Sequence, residues 1–182
     1  MAEAPLAPGA QALRAALFAA PGLNAYAVVD GASRLDLAET LFDNPAEHTC
    51  LFIGTLDPEV AAVAPWLIAL EPDATIVERL LEGWGRSQAI YLLSRLSLVK
   101  LRTKLRTLTL AEIPDGRTVF FRFYDPRVLR ASAPLLDAAQ RARFFARGDV
   151  AAYFFEAEDG SALRFAPDSE KPRTVAGADG EV

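Results

Sequence analysis

The chain has 182 residues, 52% of them hydrophobic and 24% charged, with a formal net charge of −5. That is enough apolar sequence for one good core, and a single compact domain is the default at this length. The acidic balance argues against nucleic acid or an anionic membrane as the main partner. The one cysteine, Cys50, cannot make an internal disulfide, which points to a reducing compartment. No uncharged apolar run approaches the roughly 20 residues of a membrane helix, and the first residues lack the basic start of a signal peptide. A soluble, cytoplasmic protein is expected.

Residues Met1 to Gly9 are rich in Ala and Pro and are expected to form a flexible N-terminus. Ala10 to Ala20 has helical composition and stops at Pro21-Gly22. Ala25 to Val29 is a short apolar strand ended by Asp30-Gly31, and Arg34 to Phe42 reads as a helix capped by Ser33. Strands follow at Thr49 to Ile53 and Trp66 to Leu70, with Asp57 to Ala64 as a loop between them. Thr75 to Glu82 is a short helix, Ala89 to Leu93 a fourth buried strand, and Ser97 to Leu105 a basic helix. Leu108 to Ile113 and Arg117 to Tyr124 flank Pro114-Asp115-Gly116, the best hairpin signal in the chain. Pro134 to Ala146 is a helix, and Val150 to Ala157 with Ser161 to Phe165 a closing hairpin across Asp159-Gly160. From Pro167 to Val182 the sequence turns polar and aperiodic and reads as a disordered tail, leaving one domain over residues 10–166. Strands alternating with helices, then hairpins, predict the α/β (α+β) class with a mixed β-sheet and flanking helices.

Phe120 to Leu129 reads F-F-R-F-Y-D-P-R-V-L and concentrates four aromatics, two arginines and an aspartate in ten residues. As a strand, Phe120 to Tyr124 would place Arg122 on one face with Phe120 and Tyr124. Asp125 fits a helix N-cap and Pro126 the first helical position, where a missing N–H costs nothing. An arginine held among rings needs a carboxylate or carbonyl partner. Arg122 is therefore either a structural clamp or the centre of a recognition site. Asp30 ends the first strand, where active-site carboxylates often sit in open α/β sheets, although Asp30-Gly31 also has the local chemistry of a turn. An Asp30–Arg122 pair across the sheet would give that aspartate a second role.

Catalytic signatures are missing. There is no phosphate-binding G-x-x-x-x-G-K-[ST] loop, no G-x-G-x-x-G after a strand and no G-x-S-x-G elbow. His48 and Cys50 are the only histidine and cysteine, too few for a closed zinc site, and Cys50 reads as a small buried hydrophobe. No metal or other cofactor is implied. Gly83-Trp84-Gly85 sets an indole between two glycines, as a core plug or an interface anchor. Lys100, Lys104, Arg102 and Arg106 do not share one helix face, so a solvated cationic surface is the simplest reading.

The order of these motifs resembles the type VI secretion effector-adaptor family, also called Tap or TEC proteins and long catalogued as a domain of unknown function. The matching pieces are Tyr26 to Ala32, Cys50-Leu51-Phe52, Ala64-Pro65-Trp66-Leu67, Gly83 to Ser87, Leu101 to Arg106 and Phe121 to Leu129. Gln140 with Phe144-Phe145 resembles the segment that follows, and the run centred on Arg122 is the specific one. Lys104 departs from the pattern, standing where the family commonly has histidine. The resemblance implies a non-enzymatic chaperone that holds a toxic effector by its N-terminal region and delivers it to the VgrG spike. Trp84, Arg122, Tyr124 and Arg127 would then form the partner-binding surface, with Asp30, Gly31, Asp125 and Pro126 as structural motif. The rival reading is an enzyme using an Asp30–Arg122–Asp125 cluster on a small polar substrate. It requires an open cleft with at least one carboxylate unpaired.

Overall fold

The computed structural model describes residues 5–113 and 115–176. Four apolar strands make the centre of the molecule: β1 (Asn24–Asp30), β3 (Pro65–Leu70), β4 (Ala89–Ser94) and β7 (Val150–Glu156). The shorter β2 (His48–Cys50), β8 (Ala162–Phe165) and β9 (Arg173–Thr174) complete a seven-stranded sheet in the order β2-β3-β1-β4-β7-β8-β9. β1 lies between β3 and β4, so that Val29 faces both Trp66 and Ala89, and Ala27 both Ile68 and Tyr91. A separate hairpin pairs β5 (Leu110–Glu112) with β6 (Thr118–Phe120).

Because strand side chains alternate, the sheet presents two apolar faces, and each is covered. Tyr26, Val28, Leu67, Ile90 and Leu92 face a layer formed by α5 (Leu98–Arg106), α6 (Pro126–Ser132) and α7 (Ala138–Phe144). Ala27, Val29, Ile68, Tyr91 and Leu93 face α1 (Pro8–Phe18), α2 (Leu37–Asp43) and α4 (Thr75–Leu81). The result is three layers, helix–sheet–helix. The α/β class with flanking helices agrees with expectation. The strand directions differ from the mixed sheet foreseen, since every described ladder is antiparallel. Burial on both faces explains this: it makes β1 and β4 continuous apolar runs, the look usually associated with parallel strands.

Several element boundaries differ from the sequence reading, each for a local reason. Residues 58–63, expected as loop, form α3 (Pro58–Val63), started by a proline that fits the first helical turn. α2 starts later than expected because the Ser33 hydroxyl donates to Asp30 at 2.8 Å instead of capping a helix. The helix expected over Pro134 to Ala146 is broken at Leu136, whose extended backbone precedes a capping box between Asp137 and Gln140 that starts α7. Pro114 of the expected hairpin turn lies outside the described residues.

Both terminal segments are more ordered than foreseen where they are described. Pro8 and Gly9 already belong to α1, and Gly9 is buried; Met1 to Ala4 lie outside the described residues. Residues 167–176 fold back onto the domain rather than forming a disordered tail. β9 pairs with β8, Thr174 opposite Leu163, and the Arg141 guanidinium donates to the carbonyls of Ser169 and Glu170. Backbone pairing and one arginine thus order a polar stretch that lacks apolar periodicity; residues 177–182 lie outside the description.

Candidate functional site

β1 ends at Asp30, on the same side of the sheet as Tyr26 and Val28. Its carboxylate is buried, 1% exposed, and accepts from the Ala32 N–H at 3.2 Å and the Ser33 hydroxyl at 2.8 Å. The same carboxylate accepts from Arg122, 92 residues further along, at 2.5 Å. The Asp30–Arg122 pair considered from the sequence is present, although Arg122 reaches it from a turn and not across the sheet. Gly31 is required beside it, because a Cβ there would fall 2.4 Å from the Ala62 carbonyl oxygen. That carbonyl belongs to α3, so the turn after β1 and the end of α3 pack backbone against backbone.

Arg122 does not lie on a strand. β6 stops at Phe120, and the chain turns so that the Asp125 N–H donates to the Arg122 carbonyl at 2.9 Å. Phe120 consequently points outward, 72% exposed, whereas the adjacent Phe123 and Tyr124 are both buried in the core. The single-face placement of Phe120, Arg122 and Tyr124 is therefore corrected. The turn is imposed by the helix that follows: Asp125 caps α6, accepting the Arg127 N–H at 2.9 Å, with Pro126 in the first turn. The Arg127 side chain then grips the same carboxylate bidentately, at 3.0 and 2.8 Å, and Arg122 lies 3.8 Å from it. Burial alone would raise the Asp125 carboxyl, but the side-chain and backbone bonds from Arg127 outweigh it and hold it below its ordinary value. Burial, with the charge of Asp30, pushes the Tyr124 hydroxyl up.

Two buried carboxylates and two partly exposed guanidiniums thus form a closed ionic corner, and no acid or base in it is without a partner. Arg122 and Arg127 keep 46% and 61% of their side chains exposed, so this corner has a cationic outer edge. Tyr124 packs into the core and is not a surface contact.

Trp84 lies in the other layer, among the α1, α2 and α4 side chains, and the structure does not bring it to Arg122. Its indole N–H donates to the Gly160 carbonyl at 2.8 Å, and its ring stands 6.3 Å from Tyr91. Gly85, on its C-terminal side, serves a neighbouring group that sequence reasoning missed. Glu156, at the end of β7 and 5% exposed, accepts the N–H groups of Gly85 and Ser87, both at 2.9 Å. Gly85 and Ser87 sit at φ of 90° and 53°, the left-handed region that turns successive N–H groups toward one anion. The segment Gly83 to Ser87 is therefore a loop wrapped on a carboxylate, tying β4 to the β7–β8 hairpin. A glutamate at the end of an apolar strand was the only signal available, and nothing linked it to Gly85.

The remaining chemical candidates are Cys50, His48 and the cations of α5. Cys50 is partly buried, and burial pushes its thiol up, away from the reactive thiolate. His48 is exposed, its ring 5.6 Å from Trp66. Arg102 donates to the Cys50 carbonyl at 2.7 Å, whereas Lys104 is exposed. Among the described residues no cluster of His, Cys, Asp or Glu has the makings of a metal site, and no helix is long and apolar enough to cross a membrane.

A family model described as a domain of unknown function (DUF4123) matches residues 25–143, a span that includes Asp30, Trp84 and the whole ionic corner. No curated protein and no solved structure matches the chain.

Proposed function

The chain belongs to the DUF4123 family, and from that premise we propose that it is a non-enzymatic adaptor of type VI secretion. In this reading it works in the cytoplasm, holds the N-terminal region of a toxic effector and loads that effector onto the VgrG spike. The observation that carries the reading is the closure of the Asp30–Arg122–Asp125–Arg127 corner. A catalytic use of Asp30 and Asp125 needs one carboxylate free to take a proton or bind substrate, and both are buried and bonded within the chain. The same bonds make the corner a clamp, with Arg122 and Arg127 each held by a carboxylate of the chain, so contact with a partner falls to another face of the domain.

The test is a pull-down from lysate of the protein's own host, grown so that the secretion machinery is expressed, read by mass spectrometry. A toxin-like protein or VgrG enriched with the wild-type chain is the expected result. Recovery of neither, with the machinery shown to be present, would overturn the adaptor reading.

A further inference from the structure

The edge of the sheet at β2 carries an apolar groove that the ionic corner does not use. α2 and α3 stand beside Trp66 and enclose a cavity of about 410 Å³, lined by Leu37, Leu41, Phe42, His48, Ala61 and Trp66. The Trp66 indole N–H is already bound to the Ala61 carbonyl at 3.0 Å, so the cavity wall is fixed before anything enters. Phe42, part of the lining, stands 85% exposed, and Leu35, two residues before α2, 83%, large side chains with no cover from this chain.

The charge of the rim specifies what would cover them. Between residues 35 and 78 the chain has nine Asp and Glu and no Lys or Arg, although the whole protein carries 24 acidic and 19 basic residues. Glu39 and Asp43 on α2, Glu47 before β2, and Asp57 and Glu59 at the start of α3 are all exposed, and each is next in sequence to a residue that lines the cavity. None of the five has a salt bridge among the described residues. The nearest preceding cation, Arg34, is buried, donates to the Arg79 carbonyl at 2.8 Å and pairs with Asp36 at 3.5 Å, so it neutralises none of these five. An apolar slot ringed by unpaired carboxylates attracts a segment that is apolar on one side and cationic beside it.

We propose that the α2–α3 groove is a docking site for a basic amphipathic helix of a partner protein. Apolar side chains at i and i+3 or i+4 would enter the slot beside Phe42 and Trp66, and flanking Lys or Arg would pair with Glu39, Asp43 and Glu59. The groove is walled by side chains of two short helices, so it reads apolar anchors rather than extending a strand ladder. This inference rests on the reading of the chain as a binding module and assigns that module its contact surface.

The experiment titrates the intact protein with a Leu/Lys amphipathic helical peptide, and with a Leu/Glu peptide of the same apolar face, by fluorescence anisotropy and amide NMR. Binding of the Leu/Lys peptide is expected with shifts at Leu37, Leu41 and Trp66. Affinity should be about tenfold or more weaker for the Leu/Glu peptide and for Phe42→Glu. Phe42 is exposed, so that variant should remain folded, and an unchanged melting temperature verifies it; a Glu39→Lys/Asp43→Lys variant tests the charge separately. Equal affinity for both peptides, shifts elsewhere, or full binding by folded Phe42→Glu would each overturn the assignment, as would a wild-type dimer that Phe42→Glu dissolves. The two readings fail separately. Peptide binding at the groove without capture of effector or spike would leave the groove and remove the secretion role. Capture of effector and spike unaffected by Phe42→Glu would do the reverse.

Discussion

The ionic corner at Arg122 and the groove between α2 and α3 are opposite kinds of surface. At the corner, each buried charge finds its partner inside the chain: Asp30 takes Arg122, and Asp125 takes Arg127 and caps α6. At the groove, exposed Phe42 has no cover, and Glu39, Asp43, Glu47, Asp57 and Glu59 beside the lining have no salt bridge among the described residues. Residues that stand out by their chemistry in this protein hold turns in place. The surface with unmet valence is built from ordinary apolar side chains on acidic helices. If this contrast is right, substitutions at the corner should cost stability, and substitutions at the groove should cost only binding.

The largest expected effect is at Asp30. Asp30→Ala removes the acceptor of three donors and should destabilise the fold by about 3 kcal/mol in chemical denaturation. The figure sits at the low end for a broken buried pair because Arg122 reaches water. A loss below about 1 kcal/mol would mean that the corner is not a clamp. Next comes Glu156→Ala, which removes the charged acceptor shared by the N–H groups of Gly85 and Ser87 and should cost about 2 kcal/mol. Hydrogen exchange at those two amides should rise with it.

A smaller effect isolates charge. Because the Asp125 carboxyl is held below its ordinary value of 3.8 in the folded chain, its contribution is fully present above that value and is lost as the pH falls through the lower folded one. Asp125→Asn keeps a capping oxygen but not the charge. Its stability deficit against wild type should therefore be constant near neutrality and shrink as pH drops below about 4. A deficit that persists unchanged in acid would assign the effect to packing. The smallest change belongs to the groove: Phe42→Glu should alter stability by no more than about 0.5 kcal/mol, read by the same denaturant series. A larger loss would place Phe42 in the core and collapse the contrast between the two regions.

How much of this could be read beforehand follows from which interactions are local. The apolar strands at Ala25 to Val29, Trp66 to Leu70 and Ala89 to Leu93 were visible as runs, and Asp125-Pro126 announced the start of α6 through chemistry confined to neighbouring residues. The Asp30–Arg122 pair could be raised but not chosen, because an arginine among rings requires a carboxylate or carbonyl, and Asp30-Gly31 also has the local chemistry of a turn. Tyr124 misled the reading because alternation presumes a strand, and the turn that feeds α6 replaces it with two adjacent buried rings. Glu156 was illegible since its partners are backbone N–H groups, which no side-chain pattern marks. β9 escaped notice because its pairing with β8 depends on backbone bonds and on Arg141 across the molecule. The absence of cations from residues 35–78 was in plain view, yet it acquires meaning only when α2, α3 and Trp66 are known to share a groove.

The contrast between clamp and contact is tested most directly by hydrogen–deuterium exchange of the wild-type protein, alone and in complex with the partner recovered by pull-down. The predicted result is protection over α2, α3 and Trp66, with the backbone from Arg122 to Arg127 unchanged. Protection centred on Arg122 to Arg127, with α2 and α3 exchanging as in the free protein, would contradict it.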